Sequence, residues 1–213
     1  MMDVDLVRTR SDAPPRDDAH HHGADADRLV EERLWVELIL EGDVNLFRRL
    51  VERYQGSVRG VILRLVGSQA DTDDLAQQAF LRAFQALCDF KTELRFSSWL
   101  LRIAVNAAKD HLKSKKRGES SLSSEPTPDE AVFAGHIEDP EDASLSAERR
   151  AEVHAALSQL PWKYREVLVL KSVEELPYEE IQRILELPLT TLKIRVVRAR
   201  EMLRKLLEES NRS

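Results

Sequence analysis

LPYEEIQRILELPLTTLKIRVVRA, residues 176–199, contains two helical apolar patterns separated by a break too short to be a loop. Pro177 can occupy the first turn of YEEIQRIL, where its missing N–H costs nothing, and Ile181, Ile184 and Leu185 point inward. Glu186 and Leu187 form the break, and Pro188 opens the second helix. There Leu189, Leu192, Val196, Ala199 and Leu203 recur at steps of three and four, which is a core stripe. Thr190, Lys193, Ile194, Val197 and Arg198 project the other way, with Thr191 and Arg195 flanking them. Hydroxyls, bases and two β-branched apolar residues on one exposed face make poor dressing for solvent.

The charge balance makes that face more unusual. The chain has 213 residues and a formal net charge of −6. Residues 94–117 carry +6 and residues 188–205 carry +5, leaving −17 for everything else. Two basic helices in an acidic chain are the footprint of a molecule gripping a polyanion at two points. Two short helices with a three- to four-residue turn form a helix-turn-helix, whose second helix enters the major groove. Bases suit phosphate or guanine there, and methyl-rich side chains suit thymine.

Upstream, helical periodicity runs from Arg28 to Arg117. A first helix, LWVELILEGD, ends at Gly42, and VNLFRRLVERYQGSVRGVILRLVG follows, with Leu46, Phe47, Leu50, Val51 and Tyr54 at helical spacing. In DTDDLAQQAFLRAFQAL, Asp71 to Asp74 place negative charge at a helix start. FSSWLLRIAVNAAKDHLKSKKR offers Ser97 or Ser98 as a cap and puts Trp99, Ile103 and Ala107 on one face. Residues 118–147 lose all periodicity and hold eight acids, no Lys or Arg, three prolines and a serine cluster. Residues 1–27 are polar and acidic and read as a disordered tail, with His20, His21 and His22 solvated rather than bound to metal. The expected fold is therefore all-α: two small helical domains, 28–117 and 148–213, joined by the acidic flexible linker 118–147.

Composition narrows the function further. A charged fraction of 33% and only seven glycines favour helices over a strand-rich fold. The one cysteine, Cys88, excludes an internal disulfide, suits a reducing compartment, and reads as a packed thiol. No apolar run approaches the ~18–20 residues of a membrane span, and no hydrophobic block near the N-terminus suggests a signal peptide. A soluble cytoplasmic protein without membrane insertion is expected. There is no Gly-rich phosphate loop, HExxH or Cys/His zinc spacing, so neither an enzyme nor a metal or other cofactor is expected.

In this order the blocks resemble the extracytoplasmic-function (ECF) sigma factors, the compact, RpoE-like branch of the bacterial sigma-70 family. The resemblance spans roughly Leu34 to Glu208. EGDVNLFRRLVERY is similar to the family's first helix pair, and DTDDLAQQAFLRAFQAL to its polymerase-binding helix. FSSWLLRIAVNAAKDHL resembles the segment that engages the minus-ten element, and residues 160–201 resemble the minus-thirty-five domain. The resemblance implies no bond chemistry: such a protein binds core RNA polymerase, directs it to a set of promoters, helps melt the DNA, and usually has an anti-sigma partner. It places Asp74, Leu75, Gln77, Gln78, Phe80 and Arg82 on the polymerase. Lys91, Ser97, Trp99, Arg102, Asn106, Lys109 and Lys113 fall near the minus-ten element, with Trp99 offered for stacking although its helix face reads as core. Thr190, Thr191, Lys193, Ile194, Arg195, Val197 and Arg198 fall at the minus-thirty-five element.

The chain departs from the family's usual small residue at Thr190, Ser at Ile194 and Gly at Glu186, which leaves the exact minus-thirty-five sequence open, and Gln78 replaces a common acid of the polymerase-binding block, which implies weaker docking. A linker of this length spans roughly 30 Å as a coil and about 100 Å extended, enough to bridge elements roughly 50 Å apart. The rival reading is a DNA-binding activator with a helix-turn-helix output and a helical sensor domain. It accounts for residues 148–213 but not for the basic helix of the first domain.

Overall fold

The computed structural model describes residues 19–91, 95–119, 151–172 and 174–210; the side chains of 19–27 and 118–119 are not among them. Every described element is helical: α1 (Ala19–Leu40), α2 (Phe47–Val66), α3 (Gln69–Gln85), α4 (Phe96–Glu119), α5 (151–159), α6 (Trp162–Ser172), α7 (Tyr178–Leu185) and α8 (Leu189–Ser210). Short 3-10 turns at Val44–Leu46 and Leu87–Asp89 follow α1 and α3. No described helix is long and apolar enough to cross a membrane. The acidic linker lies outside the described residues, apart from its first two, which continue α4. The side chains of His20 to His22 lie outside them as well.

Helix ends follow local chemistry. Gly42 (φ 118°) and Gly67 (φ 91°) take left-handed conformations after α1 and α2, and Gly67 N–H returns to the Leu63 carbonyl. Ser68 caps α3, its hydroxyl accepting from Asp71 N–H at 3.3 Å. Only Asp71 of the three acids sits in the first turn.

Several expectations change. α1 begins at Ala19, inside the stretch read as a tail, and between Pro15 and Gly42 the sequence holds no helix breaker except Gly23. Ser97 and Ser98 lie inside the first turn of α4 rather than capping it, and Ser98 is buried. Cys88 is exposed: the turn after α3 gives the core positions to Leu87 and Phe90 and rotates the thiol outward.

The two helical domains do not sit apart as the tether alone would allow. α4 packs against α2 and α3 on one side and α7 on another, and α2 also meets α6. Leu50, Val61, Ile62, Leu65, Leu100 and Ala104 share one continuous core with Val167, Val169, Leu170, Ile181 and Ile184. Each fully buried aliphatic side chain contributes about 1.5–3 kcal/mol, so this seam is a substantial part of the fold. A smaller cluster of Leu157, Leu160, Leu168 and Ala199 fixes α5, α6 and α8 to one another.

A buried arginine joins the halves. Arg165 of α6 donates to the Leu65 carbonyl at 2.7 Å, the Leu160 carbonyl at 3.1 Å and the Ser158 carbonyl. These carbonyls lie at or just beyond the C-terminal ends of α2 and α5, where acceptors lack helical partners and the dipole is negative. His154 adds a ring nitrogen 2.9 Å from the Leu63 carbonyl. Arg165→Met should therefore cost about 2–4 kcal/mol by stranding buried acceptors. Arg48→Ala, which breaks the exposed Arg48–Glu52 pair, should stay within about 0.5 kcal/mol. Urea unfolding of both variants checks this, and equal midpoints would remove Arg165 as the pin.

Candidate nucleic-acid interface

The wheel of α8 is as the spacing predicts. Leu192, Val196 and Ala199 are buried, while Thr190, Lys193 and Arg198 are exposed. Ile194 (53% exposed) and Val197 (57%) present bare methyl groups beside those bases. Thr191 is half-buried at the edge. Three residues, Glu186 to Pro188, separate α7 from α8, and Leu192 N–H closes the first turn on the Pro188 carbonyl at 3.0 Å. Two short helices at such a turn leave the outer face of α8 free to lie in a groove.

Arg195 behaves differently. Its guanidinium lies 3.5 Å from the carboxylate of Glu166, a buried acid on α6. Burial pushes the Glu166 carboxyl above its usual range, opposed by the positive charges of Lys109 and Arg195. Lys109 on α4 and Arg195 on α8, both expected on DNA, thus face one buried acid. No periodicity argument reveals that acid, because Glu166 sits in an apolar run.

On α4, Asn106, Lys113 and the preceding Lys91 are exposed, and Arg102 and Lys109 are half-buried. Lys113 approaches Asp110 at 4.0 Å, and Lys115 reaches Asp71 of α3 at 3.8 Å. Trp99 lies 5.1 Å from the Phe90 ring and 5.6 Å from Phe96, so it completes an aromatic cluster at the start of α4. Trp99 is half-buried there, packed against the core. Ser97 borders a cleft of about 540 Å³ that also touches Arg53, Tyr54, Ser57 and Arg95. Burial, with the Glu32 carboxylate accepting a hydrogen bond from its hydroxyl, holds the Tyr54 phenol well above its usual pKa, so it remains a donor.

α3 divides cleanly. Leu75 and Phe80 are buried and shape the helix from within, whereas Asp74, Gln77, Gln78 and Arg82 face solvent. Leu81 (56% exposed) and Phe84 (40%) lie on the same outer surface, Phe84 packing edge-on against Phe47 at 5.0 Å. The sequence reading passed over both; the signal was a helix with more large apolar residues than one buried stripe can take.

Comparison with known proteins agrees with this geometry. Residues 50–118 match the family model of Sigma-70 region 2, and residues 150–203 match Sigma-70, region 4. The RNA polymerase sigma-H factor of Pseudomonas aeruginosa is 39% identical over 179 residues, 81% of this chain and 92% of that one. The ECF RNA polymerase sigma-E factor of Escherichia coli K12 is 36% identical over 176 residues, 81% and 92% of the two chains. The ECF factor SigW of Bacillus subtilis is 35% identical over 179 residues, 82% and 95%. Among solved structures, CnrH in complex with the cytosolic domain of CnrY is 25% identical, with a TM-score of 0.62 over 83% of this chain and 97% of that one. The sigma factor RpoE of Bartonella quintana, in complex with the anti-sigma factor NepR, shares the fold at a TM-score of 0.64 and 20% identity, over 76% and 96%. The chain belongs to the sigma-70 family and, within it, to the ECF sigma factors. It is an alternative sigma factor, a transcription initiation factor.

The buried Glu166 gives a pH signature. Its raised folded-state pKa means that the native protein holds this proton more tightly than the unfolded chain does. The stability it contributes is full below the ordinary carboxylate pKa and lost as pH rises through the folded value. Glu166→Gln should accordingly be more stable than the parent at pH 7.5, with the gap closing toward pH 4. Urea midpoints at the two pH values measure it, and a variant less stable at pH 7.5 would mean that the pair with Arg195 outweighs desolvation.

Proposed function

We propose that this sigma factor divides its work among three faces. The outer surface of α3 docks on core RNA polymerase through Asp74, Gln77, Gln78 and Arg82, with Leu81 and Phe84 supplying apolar area. The loop before α4 and the polar edge of α4, with Lys91, Ser97, Arg102, Asn106, Lys109 and Lys113, take the minus-ten element. The exposed face of α8 reads the minus-thirty-five element through Lys193, Ile194, Val197 and Arg198, with Thr190, Thr191 and Arg195 at its margin. The observation that carries the reading is the outer face of α8, where bases and bare methyl groups stand together on a helix presented by a three-residue turn.

The protein would do no bond chemistry of its own, since the polymerase makes the RNA. It would work in the cytoplasm, where that enzyme is. An anti-sigma factor is a further expected partner, because the two solved relatives described above include one in complex with a named anti-sigma factor.

Docking on polymerase is tested without DNA. The double variant Gln77→Ala with Arg82→Glu changes only exposed residues, so it should keep its helicity yet lose co-purification with core. Normal co-purification would remove α3 as the docking helix.

Reading is tested by promoter-library selection at two salt concentrations. Lys193→Ala or Arg198→Ala should relax preference at one minus-thirty-five position, since a bidentate base contact carries about 1–3 kcal/mol of discrimination. Arg200→Ala, nearer the core stripe, should weaken all promoters alike and flatten the salt dependence. If neither of the first two alters the selected motif, α8 positions the protein without reading sequence.

A further inference from the structure

Glu166 has no part in the three faces, yet it is an acid kept inside. It is 6% exposed, set in an apolar run of α6, and α6 packs along α8. Burial disfavours its charge, and an uncharged side chain of similar volume would fill the space without that cost. What the acid does is meet one side chain of α8. Its Oε1 accepts from Nη1 of Arg195 at 3.5 Å. Arg195 lies three residues after buried Leu192 and four before buried Ala199, so its stem follows the edge of the core.

The other bases are placed differently. Lys193 and Arg198 are exposed on the outer face and form no ion pair among the described residues. Arg204 has an acid partner, Glu208, but on its own helix and with 72% of the arginine side chain exposed. On α4, Arg102 meets Glu186 at 2.7 Å, and Glu186 keeps 67% of its side chain in solvent. Arg95 and the Ser98 hydroxyl meet Glu180 of α7 at 3.1 and 2.8 Å. The Arg195 pair alone among these lies wholly within the helix-turn-helix domain and joins its second helix to a buried acid on a neighbouring one.

We propose that Glu166 is a positioning residue: it holds the Arg195 guanidinium at the margin of α8 as a pre-set clamp for one phosphate of the DNA backbone. The inference rests on the minus-thirty-five reading of α8 and adds to it a residue that does not itself touch DNA. Arginine carries five N–H donors in a planar fork, and one bond to Glu166 leaves the outer ones for a second anion. A free arginine loses side-chain freedom when it grips a phosphate; one already held loses less, and the difference appears as affinity. The phosphate contact fixes the register of α8 in the groove, while the exposed bases read sequence. Simple charge argues for the opposite sign. An acid beside the interface repels phosphate, so if Glu166 contributed only its charge, removing it would tighten binding.

The test is a salt titration of promoter binding by the full chain in complex with core RNA polymerase, on one promoter fragment from the parent's own library selection. Glu166→Leu fills the space and removes the acceptor; its urea midpoint separates lost binding from lost fold. It should bind about fivefold more weakly, the scale of freeing one long side chain. Glu166→Gln, which keeps an uncharged acceptor, should lose less in the same direction. Arg195→Ala should bind more weakly and lower the slope of log K against log salt by about one. Adding Glu166→Leu to Arg195→Ala should then cost nothing further. Adding it to Lys109→Ala should still cost about fivefold, although Lys109 is the other base facing the acid. The selected motif should be the same for the parent and both Glu166 variants. Either Glu166 variant binding as tightly as the parent, or more tightly, overturns the proposal. So does a fivefold loss that persists without Arg195 or vanishes without Lys109, and so does a changed motif, which would make Arg195 a reader of bases. If the parent complex bound no promoter, the reading of α8 would fall and this inference with it. If the parent binds and the Glu166 variants match it, this inference falls alone.

Discussion

α4 is packed from two sides, and the rest of the molecule is arranged around that fact. Its apolar positions Leu100, Leu101, Ala104, Val105 and Ala108 fill the space between α2, α3 and α7. Its solvent side is polar, with Arg102, Asn106, Lys109 and the exposed Lys113 to Arg117, and Arg95 just precedes it. Positive charge beside low-dielectric walls attracts an anion strongly, and the nearest anions belong to the same chain. The acids of α7 are therefore positioned by the same apolar seam that fixes α4, rather than reaching it as loose surface side chains.

The seam and the ion pairs beside it differ in kind. Apolar burial at Val169, Leu170, Ile181 and Ile184 is insensitive to salt, whereas the pairs of Arg102 and Arg195 weaken as ions screen them. Binding to DNA weakens with salt as well, and more steeply, because each phosphate contact releases counterions. On α3, Gln77, Gln78 and Arg82 lie away from the seam between the halves and remain exposed.

Much of this was legible in the sequence, and the parts that were not share a cause. The stripe of α8 was clear because one helix face repeats every three to four residues. Gly42 was clear because no other residue so readily ends a helix in a left-handed turn. Periodicity reports that a face is buried but not against what. It could not show Ser98 bound to Glu180, Arg195 held by Glu166, or Cys88 turned outward by a single 3-10 turn. One signal was available and unused: Val167 to Leu170 are four consecutive apolar residues in one helix, more than a single buried stripe needs, and all four are buried. That run announced the contact between the halves, which the acidic linker, read alone, argued against.

The central claim is that the two basic helices act together on one promoter, each on its own element, through core RNA polymerase. Run-off transcription from a promoter library with purified core polymerase and the full chain addresses it directly. The account predicts transcripts enriched for one motif with two parts, separated by a fixed spacer, and absent with core alone. Transcripts no different from those of core alone, or a selected motif lacking either part, would contradict it.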